Sequence, residues 1–277
     1  MDELSERRPA GETTLQPRSF ESLLAEGVKW PFQNSFTFPE SPPAMPQMVS
    51  SRRVTRDITF ESKKMRRPVR CDSTFEKAFY SGLDELPQVL WFQEQAPKVK
   101  YAYLGESKDY FPDVLVALTN GHVFVAEVKS RGDFGLFQTI CKVNALVEAA
   151  HADGRGVFLG NADSIVGDLL SAGVRRALRA AVLTACRSTA GMSGPEWKRI
   201  RTWFDVPTHA LVPLVLAERL VVTQDPYCVR RASTEEAKEI DAFTGLFESL
   251  APVLPLPRHV FEAPEQDEDS SRAAGDL

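Results

Sequence analysis

Apolar positions between residues 73 and 160 repeat with two different periods. In STFEKAFYSGLDELPQ, Phe75, Phe79 and Leu83 recur at helical spacing. Ser73 followed by Glu76 fits a capping box and Pro87 ends the run, so a helix is predicted over about 74–86. VLWFQEQAPKVKYAYLG reads as extended. FPDVLVAL and HVFVAEVK are rich in β-forming residues, and Thr119-Asn120-Gly121 between them is a hairpin signal. After Gly132, FGLFQTICKVNALVEAAH reads as a helix ended by the glycines of ADGRG, and GVFLG as a short buried strand. Helix, three strands, helix, strand predicts an α/β fold, one mixed sheet flanked by helices.

Beyond Ala162 the period becomes helical. SIVGDLLSAGVRRALRAAVLTAC reads mainly as helix with a break near Gly173. Ser193 and Glu196 form a second capping box before Trp197, Ile200 and Phe204, and Thr208 is expected to cap HALVPLVLAERL. LVVTQDPYCVRR reads as a hairpin turning at Gln224-Asp225-Pro226. Helices followed by a hairpin outline a mainly helical, winged-helix-like unit over 166–257. Its second helix is apolar almost all round, so residues 193–232 are expected to dock protein rather than DNA.

The flanks differ in composition. Residues 1–50 carry Pro9, Pro17, Pro31, Pro39, Pro42, Pro43 and Pro46 without sustained periodicity, and are expected to form an arm that is partly disordered. Trp30, Phe32, Phe36 and Phe38 suggest that part of it wraps a folded unit. Residues 258–277 are acidic and are expected to be disordered. Residues 51–165 would then hold the sheet.

Charge alters the picture only locally. The net charge of −5 does not announce a nucleic-acid partner. Between Arg52 and Arg70, however, Arg52, Arg53, Arg56, Lys63, Lys64, Arg66, Arg67 and Arg70 face only Asp57 and Glu61. That segment is either a solvated face or a phosphate-contacting one. Cys71, Cys141, Cys186 and Cys228 are widely spaced, which fits reduced thiols and neither a disulfide framework nor close metal-ligand pairs. The polar N-terminus and the lack of a run of about 18 apolar residues lead us to expect a soluble, cytoplasmic protein. His122, His151, His209 and His259 are scattered, against a zinc site, and no phosphate loop ending in Gly-Lys-Ser/Thr occurs.

Candidate chemistry lies in FPDVLVALTNGHVFVAEVKS. Glu127 and Lys129 are two apart on one strand and share a face, which is costly inside an apolar strand unless they are used or solvated. Loop length sets what faces them. A two-residue loop at Asn120-Gly121 would place Asp113 opposite Val128. A three-residue loop, Thr119-Asn120-Gly121, places it opposite Glu127 and puts glycine at the left-handed position such loops require. Two carboxylates beside a lysine suit phosphodiester hydrolysis: hard oxygens hold Mg²⁺, and the ammonium stabilises developing charge. Glu76 on the preceding helix offers a third carboxylate. Gln138 and Lys142, four apart on the following helix, could contact the phosphate backbone.

Pro112-Asp113, thirteen residues, then Glu127-Val128-Lys129 resembles the PD-(D/E)XK nuclease superfamily, whose restriction-endonuclease-like core has this element order. More narrowly, residues 58–160, with Ser-Lys-rich ITFESKKMRR, the acid-bearing helix and Phe92-Gln93-Glu94-Gln95, resemble the TnsA family of transposase endonuclease subunits. The resemblance implies Glu76, Asp113, Glu127 and Lys129 as catalytic residues. It implies a metal, Mg²⁺ or Mn²⁺, held by Glu76, Asp113, Glu127 and the Val128 backbone. Lys63, Lys64, Arg66, Arg67, Arg70, Gln138 and Lys142 are the candidate DNA contacts. The implied partners are double-stranded DNA at transposon ends, a partner transposase and an AAA+ ATPase, in a bacterial cytoplasm. The long proline-rich leader and the residues beyond about 235 depart from the family pattern. A stand-alone restriction or repair nuclease is the alternative enzyme, and a non-catalytic DNA-binding scaffold the alternative without chemistry.

Overall fold

The computed structural model describes residues 18–31, 58–95, 98–188 and 190–248. Its centre is a five-stranded mixed sheet. The elements are α1 (Phe20–Gly27), β1 (Val28–Lys29), β2 (Ile58–Ser62), β3 (Arg67–Cys71), α2 (Thr74–Glu85), β4 (Val89–Glu94), β5 (Val99–Tyr103), β6 (Glu106–Tyr110), β7 (Val114–Leu118), β8 (Val123–Val128), α3 (Phe137–Ala152) and β9 (Gly156–Gly160). The sheet order is β1-β9-β8-β7-β4. Only β8 and β9 run parallel, and α3 supplies the crossover that a parallel pair needs.

β7 and β8 are buried along their whole length, which explains their near-continuous apolar sequence. Even residues such as Val116, Phe124 and Val128 pack with Phe79, Tyr80 and Leu83 of α2. Odd ones such as Leu115 and Val125 pack with Ile140, Val143 and Leu146 of α3. Glu127 is on the α3 side of β8 by parity, a carboxylate in a face otherwise made of core.

The second half comprises α4 (Val166–Leu170), α5 (Arg176–Ala185), β10 (Met192–Ser193), α6 (Gly194–Trp203), α7 (Leu211–Ala217), β11 (Leu220–Gln224), β12 (Tyr227–Arg231) and α8 (Thr234–Glu248). Its sheet runs β10-β12-β11. The helical break predicted near Gly173 separates α4 from α5. The Ser193–Glu196 capping box forms, with the Ser193 amide 2.8 Å from Glu196 Oε2. Leu211 through Leu216 are all buried. They join the same core as α3, and Asn144 of α3 ties to α8 through the Glu239 carbonyl at 2.8 Å. Among the described residues no helix is long and apolar enough to cross a membrane.

Part of the N-terminal arm is folded, in keeping with the expectation that some of it wraps a folded unit: Ser19 caps α1, Leu23 and Leu24 enter the core, and Val28 pairs with Phe158, so β1 closes the sheet edge beside β9. Other elements add to the expectations or correct them. Residues 1–17 and 32–50, including Phe32, Phe36 and Phe38, lie outside the described residues, as do Arg52, Arg53, Arg56 and the 258–277 tail. The basic segment from 58 to 71 is a hairpin, β2–β3, whose turn is anchored on Asp84: Ser62 Oγ and the amides of Lys63 and Lys64 all donate to its carboxylate. The extended stretch after β4 contains a second hairpin, β5–β6. Its turn, Leu104-Gly105, puts both residues at positive φ, 51° and 81°. Leucine rarely accepts that conformation, so Leu104-Gly105 does not match the Asn-Gly or Asp-Gly pair expected of such a turn. Finally, Thr208 makes no side-chain cap. Pro207 opens a 3₁₀ turn over Thr208–Ala210, and α7 ends at Ala217, before Arg219 turns left-handed at φ 49°.

Candidate active site

The β7–β8 register is set by its loop. Val114 pairs with Ala126 and Ala117 with Val123, and the Leu118 amide donates to the His122 carbonyl at 2.8 Å. Three residues, Thr119 to Gly121, make the turn, with Gly121 at φ 88°. Continuing the register one step past Val114 puts Asp113 opposite Glu127, on the same face.

Each side chain is held by its surroundings. The Val128 amide donates to Asp113 Oδ2 at 2.6 Å, and the Asp113 carbonyl accepts from Tyr80 Oη and the Gln95 amide, both at 2.8 Å. Lys129 Nζ lies 3.1 Å from Asp113 Oδ2 and 3.1 Å from Glu127 Oε1. It also donates to the Val128 carbonyl at 3.3 Å. The Lys129 backbone is fixed by the Gly160 carbonyl and by Asn161 Nδ2, each at 3.1 Å. Glu127 is only 2% exposed, and its Oε2 is buried without a hydrogen-bond partner.

Glu76 reaches the same region from α2. Its carboxylate accepts from the Asp72 amide at 2.8 Å and from Ser73 Oγ at 3.0 Å, while Ser73 Oγ caps the Glu76 amide. It is therefore both a helix cap and a buried acid. Burial first, and the Asp113 charge second, push the Glu76 and Glu127 carboxyls up to about 7. Burial acts to lower the pKa of Lys129, but Asp113 and Glu127 outweigh it and hold the ammonium protonated. The centre is thus three carboxylates that repel one another, with one lysine as counter-charge.

Among the described residues no group of three or more acid, imidazole or thiol side chains is assembled as a ready metal cage. Asp113, Glu127 and the Val128 carbonyl converge instead on the Lys129 ammonium. The unpartnered Glu127 Oε2 and the all-oxygen donor set nevertheless suit a hard divalent cation.

The other candidates separate into two groups. Lys142 lies beside the centre on α3, and Gln138 stands one turn before it. Lys142 Nζ sits over the rings of Tyr101 and Tyr110, at 5.7 and 5.5 Å, and feels the charge of Glu127. Gln138 Nε2 donates to Tyr101 Oη at 2.7 Å. The β2–β3 cations are mostly engaged within the chain. Arg67 forms a two-pronged pair with buried Glu94, at 2.5 and 2.6 Å, and Lys63 pairs with Glu85 at 2.7 Å. Arg70 approaches Asp72 at 3.9 Å, Lys64 is half-buried, and Arg66 is exposed. Sequence reasoning missed Tyr80, Tyr101, Tyr110 and Asn161. The alternation in VKYAY and ESKDY was the available signal for the two hairpin tyrosines; Asn161 and Tyr80 act through backbone contacts that no pattern announces.

Compared with known proteins, the chain matches no protein-family model and no curated protein.

Proposed function

We propose that this protein is a Mg²⁺-dependent DNA endonuclease of the PD-(D/E)XK type, working as the strand-cutting subunit of a TnsA-like transposase. The observation that carries the reading is the meeting of Asp113 and Glu127, from neighbouring strands, on Lys129 Nζ at 3.1 Å each. The order α2-β4-β7-β8-α3-β9 fits a restriction-endonuclease-like core with the β5–β6 hairpin inserted. Helices α5 to α7 with the β10-β12-β11 sheet fit a winged helix whose third helix, α7, is occupied by the chain's own core. That burial favours a partner-docking role for the C-terminal unit over groove reading through α7.

Asp113, Glu127 and the Val128 carbonyl would hold the cation, with Glu76 as a further carboxylate. When bound, Mg²⁺ or Mn²⁺ supplies a polarised phosphate and a more acidic water. The chain supplies the rest. The Val128 amide locks the Asp113 rotamer. Lys129, charged and fixed at its backbone, offsets negative charge developing on the phosphoryl oxygens without reorganising. Lys142, half-buried beside Glu127, adds a second positive group along the α3 face. Nicking of labelled duplex DNA by wild type and Glu127→Ala, with magnesium and with excess chelator, tests the assignment. Cleavage by the purified chain alone at defined sequences would favour the stand-alone nuclease.

A further inference from the structure

A cavity of about 550 Å³ opens between the loop after Lys129 and the C-terminal unit. Phe75, Leu211, Val212 and Tyr227 give it apolar lining, and Ser130 and Arg131 polar lining, with Ser130 Oγ donating to Asp133 at 2.7 Å and Arg131 Nε to Ser164 Oγ at 3.1 Å. Three links tie it to the active centre. Phe75 adjoins Glu76, Ser130 adjoins Lys129, and Asn161, also in the lining, holds the Lys129 carbonyl at 3.1 Å. Phe75 is 42% exposed although it is a large aromatic at the start of a helix. Among the described residues the ring belongs to neither core cluster, and it lines the cavity at the start of α2.

We infer that this cavity receives a single unstacked nucleobase of the nucleotide whose phosphate sits at Lys129. The inference rests on the nuclease reading and deepens it. A nucleobase has flat apolar faces, which suit Phe75 and Tyr227, and a polar edge, which suits the guanidinium of Arg131 and the other polar groups of the lining. Its phosphate is tethered within one nucleotide, and the lining residues Phe75 and Ser130 are the chain neighbours of Glu76 and Lys129. Enzymes that act on a nucleotide in a duplex gain access and selectivity by taking a base out of the stack, at a cost that is smallest where pairing or stacking is already broken. A nick is such a place. Aromatic stacking of one base is worth about 1–3 kcal/mol, hence roughly a tenfold to hundredfold preference for DNA in which the base is free to leave.

The test uses the full chain carrying Glu127→Gln, so that binding is read without cleavage. The probes are a short nicked duplex with 5-iodouracil at the nick and the same duplex sealed. The inference predicts tighter binding of the nicked duplex, by about tenfold or more, and a photo-crosslink mapping to Phe75 or Tyr227. Phe75→Ala should lose both, and Phe75→Tyr should keep them. Equal binding of the two duplexes, an unchanged preference in Phe75→Ala, or crosslinks confined to other segments would overturn it, as would seating of a protein partner's apolar side chain in the cavity. Nicking that proceeds in the wild type while the crosslink is absent would remove the base pocket and leave the nuclease reading standing. DNA binding and crosslinking as predicted, with no cleavage under any divalent cation, would do the reverse.

Discussion

Asp113 Oδ2 and Glu127 Oε1 each lie 3.1 Å from Lys129 Nζ, so one ammonium bridges two carboxylates contributed by neighbouring strands. The bridge makes Lys129 the counter-charge of the centre as well as its candidate electrostatic catalyst. Replacing it with methionine keeps the stem and removes the charge. Nicking should fall by about 10²-fold or more, the usual cost of losing one preorganised donor to a developing negative charge. Single-turnover nicking assays on Lys129→Met, with circular dichroism to confirm folding, check this. A loss under about threefold would remove Lys129 from the chemistry.

Burial and Asp113 raise Glu127 from its ordinary 4.5 to about 7. A carboxyl whose folded pKa exceeds its unfolded one binds the proton more tightly when folded. Its contribution to stability is therefore complete below about 4.5 and is lost as pH rises to about 7. Glu127→Gln stays neutral and escapes that loss. In metal-free buffer its stability relative to wild type should rise across this window by about 1–3 kcal/mol and then level off. Thermal melts at a series of pH values measure it, and a difference that falls with pH would contradict the assigned direction.

The three-residue loop should be as important to activity as the acids it aligns. Gly121→Ala places a side chain at φ 88° and should cost about 1–2 kcal/mol in urea unfolding. Deleting His122 instead keeps the three loop residues but pairs Leu118 with Val123, which offers Val128 instead of Glu127 to Asp113. A folded deletion variant that still nicked at the wild-type rate would show that the register is not what assembles the site.

That register was legible in the sequence because parity is strict: one residue more or less in the loop turns every side chain to the other face. Glycine at the left-handed position then chose between the two loops. The same logic failed at β5–β6, where a left-handed leucine makes the turn. It failed again at α1 and β1, since a two-turn helix and a two-residue strand carry too little periodicity to stand out among prolines. The meeting of Asp113, Glu127 and Lys129 could be read from strand parity, while the roles proposed for them and for Glu76 came from the family resemblance. Their support by Tyr80, Asn161 and the β5–β6 tyrosines could not be read, because contacts between distant segments leave no local pattern.

Arg67 was a candidate phosphate contact, but its guanidinium forks onto buried Glu94. Arg67→Ala should destabilise the fold by about 2–3 kcal/mol through the stranded carboxylate, and Glu94→Gln in the same chain should recover part of that loss. Exposed Arg66 should behave differently. Arg66→Ala should leave stability unchanged within about 0.5 kcal/mol and lower the slope of log affinity against log salt for duplex DNA by about one. Urea melts paired with salt titrations separate the two roles. Equal effects of both substitutions on the salt slope, without a stability difference, would restore Arg67 as a phosphate contact.

The most direct test of the central claim is nicking of end-labelled duplex DNA by wild type and a folded Glu127→Ala protein, each in magnesium and in excess EDTA. The account predicts strand cleavage by the wild type in magnesium alone, and none by Glu127→Ala in either condition. Cleavage at the wild-type rate by folded Glu127→Ala, or by the wild type in EDTA, would contradict it.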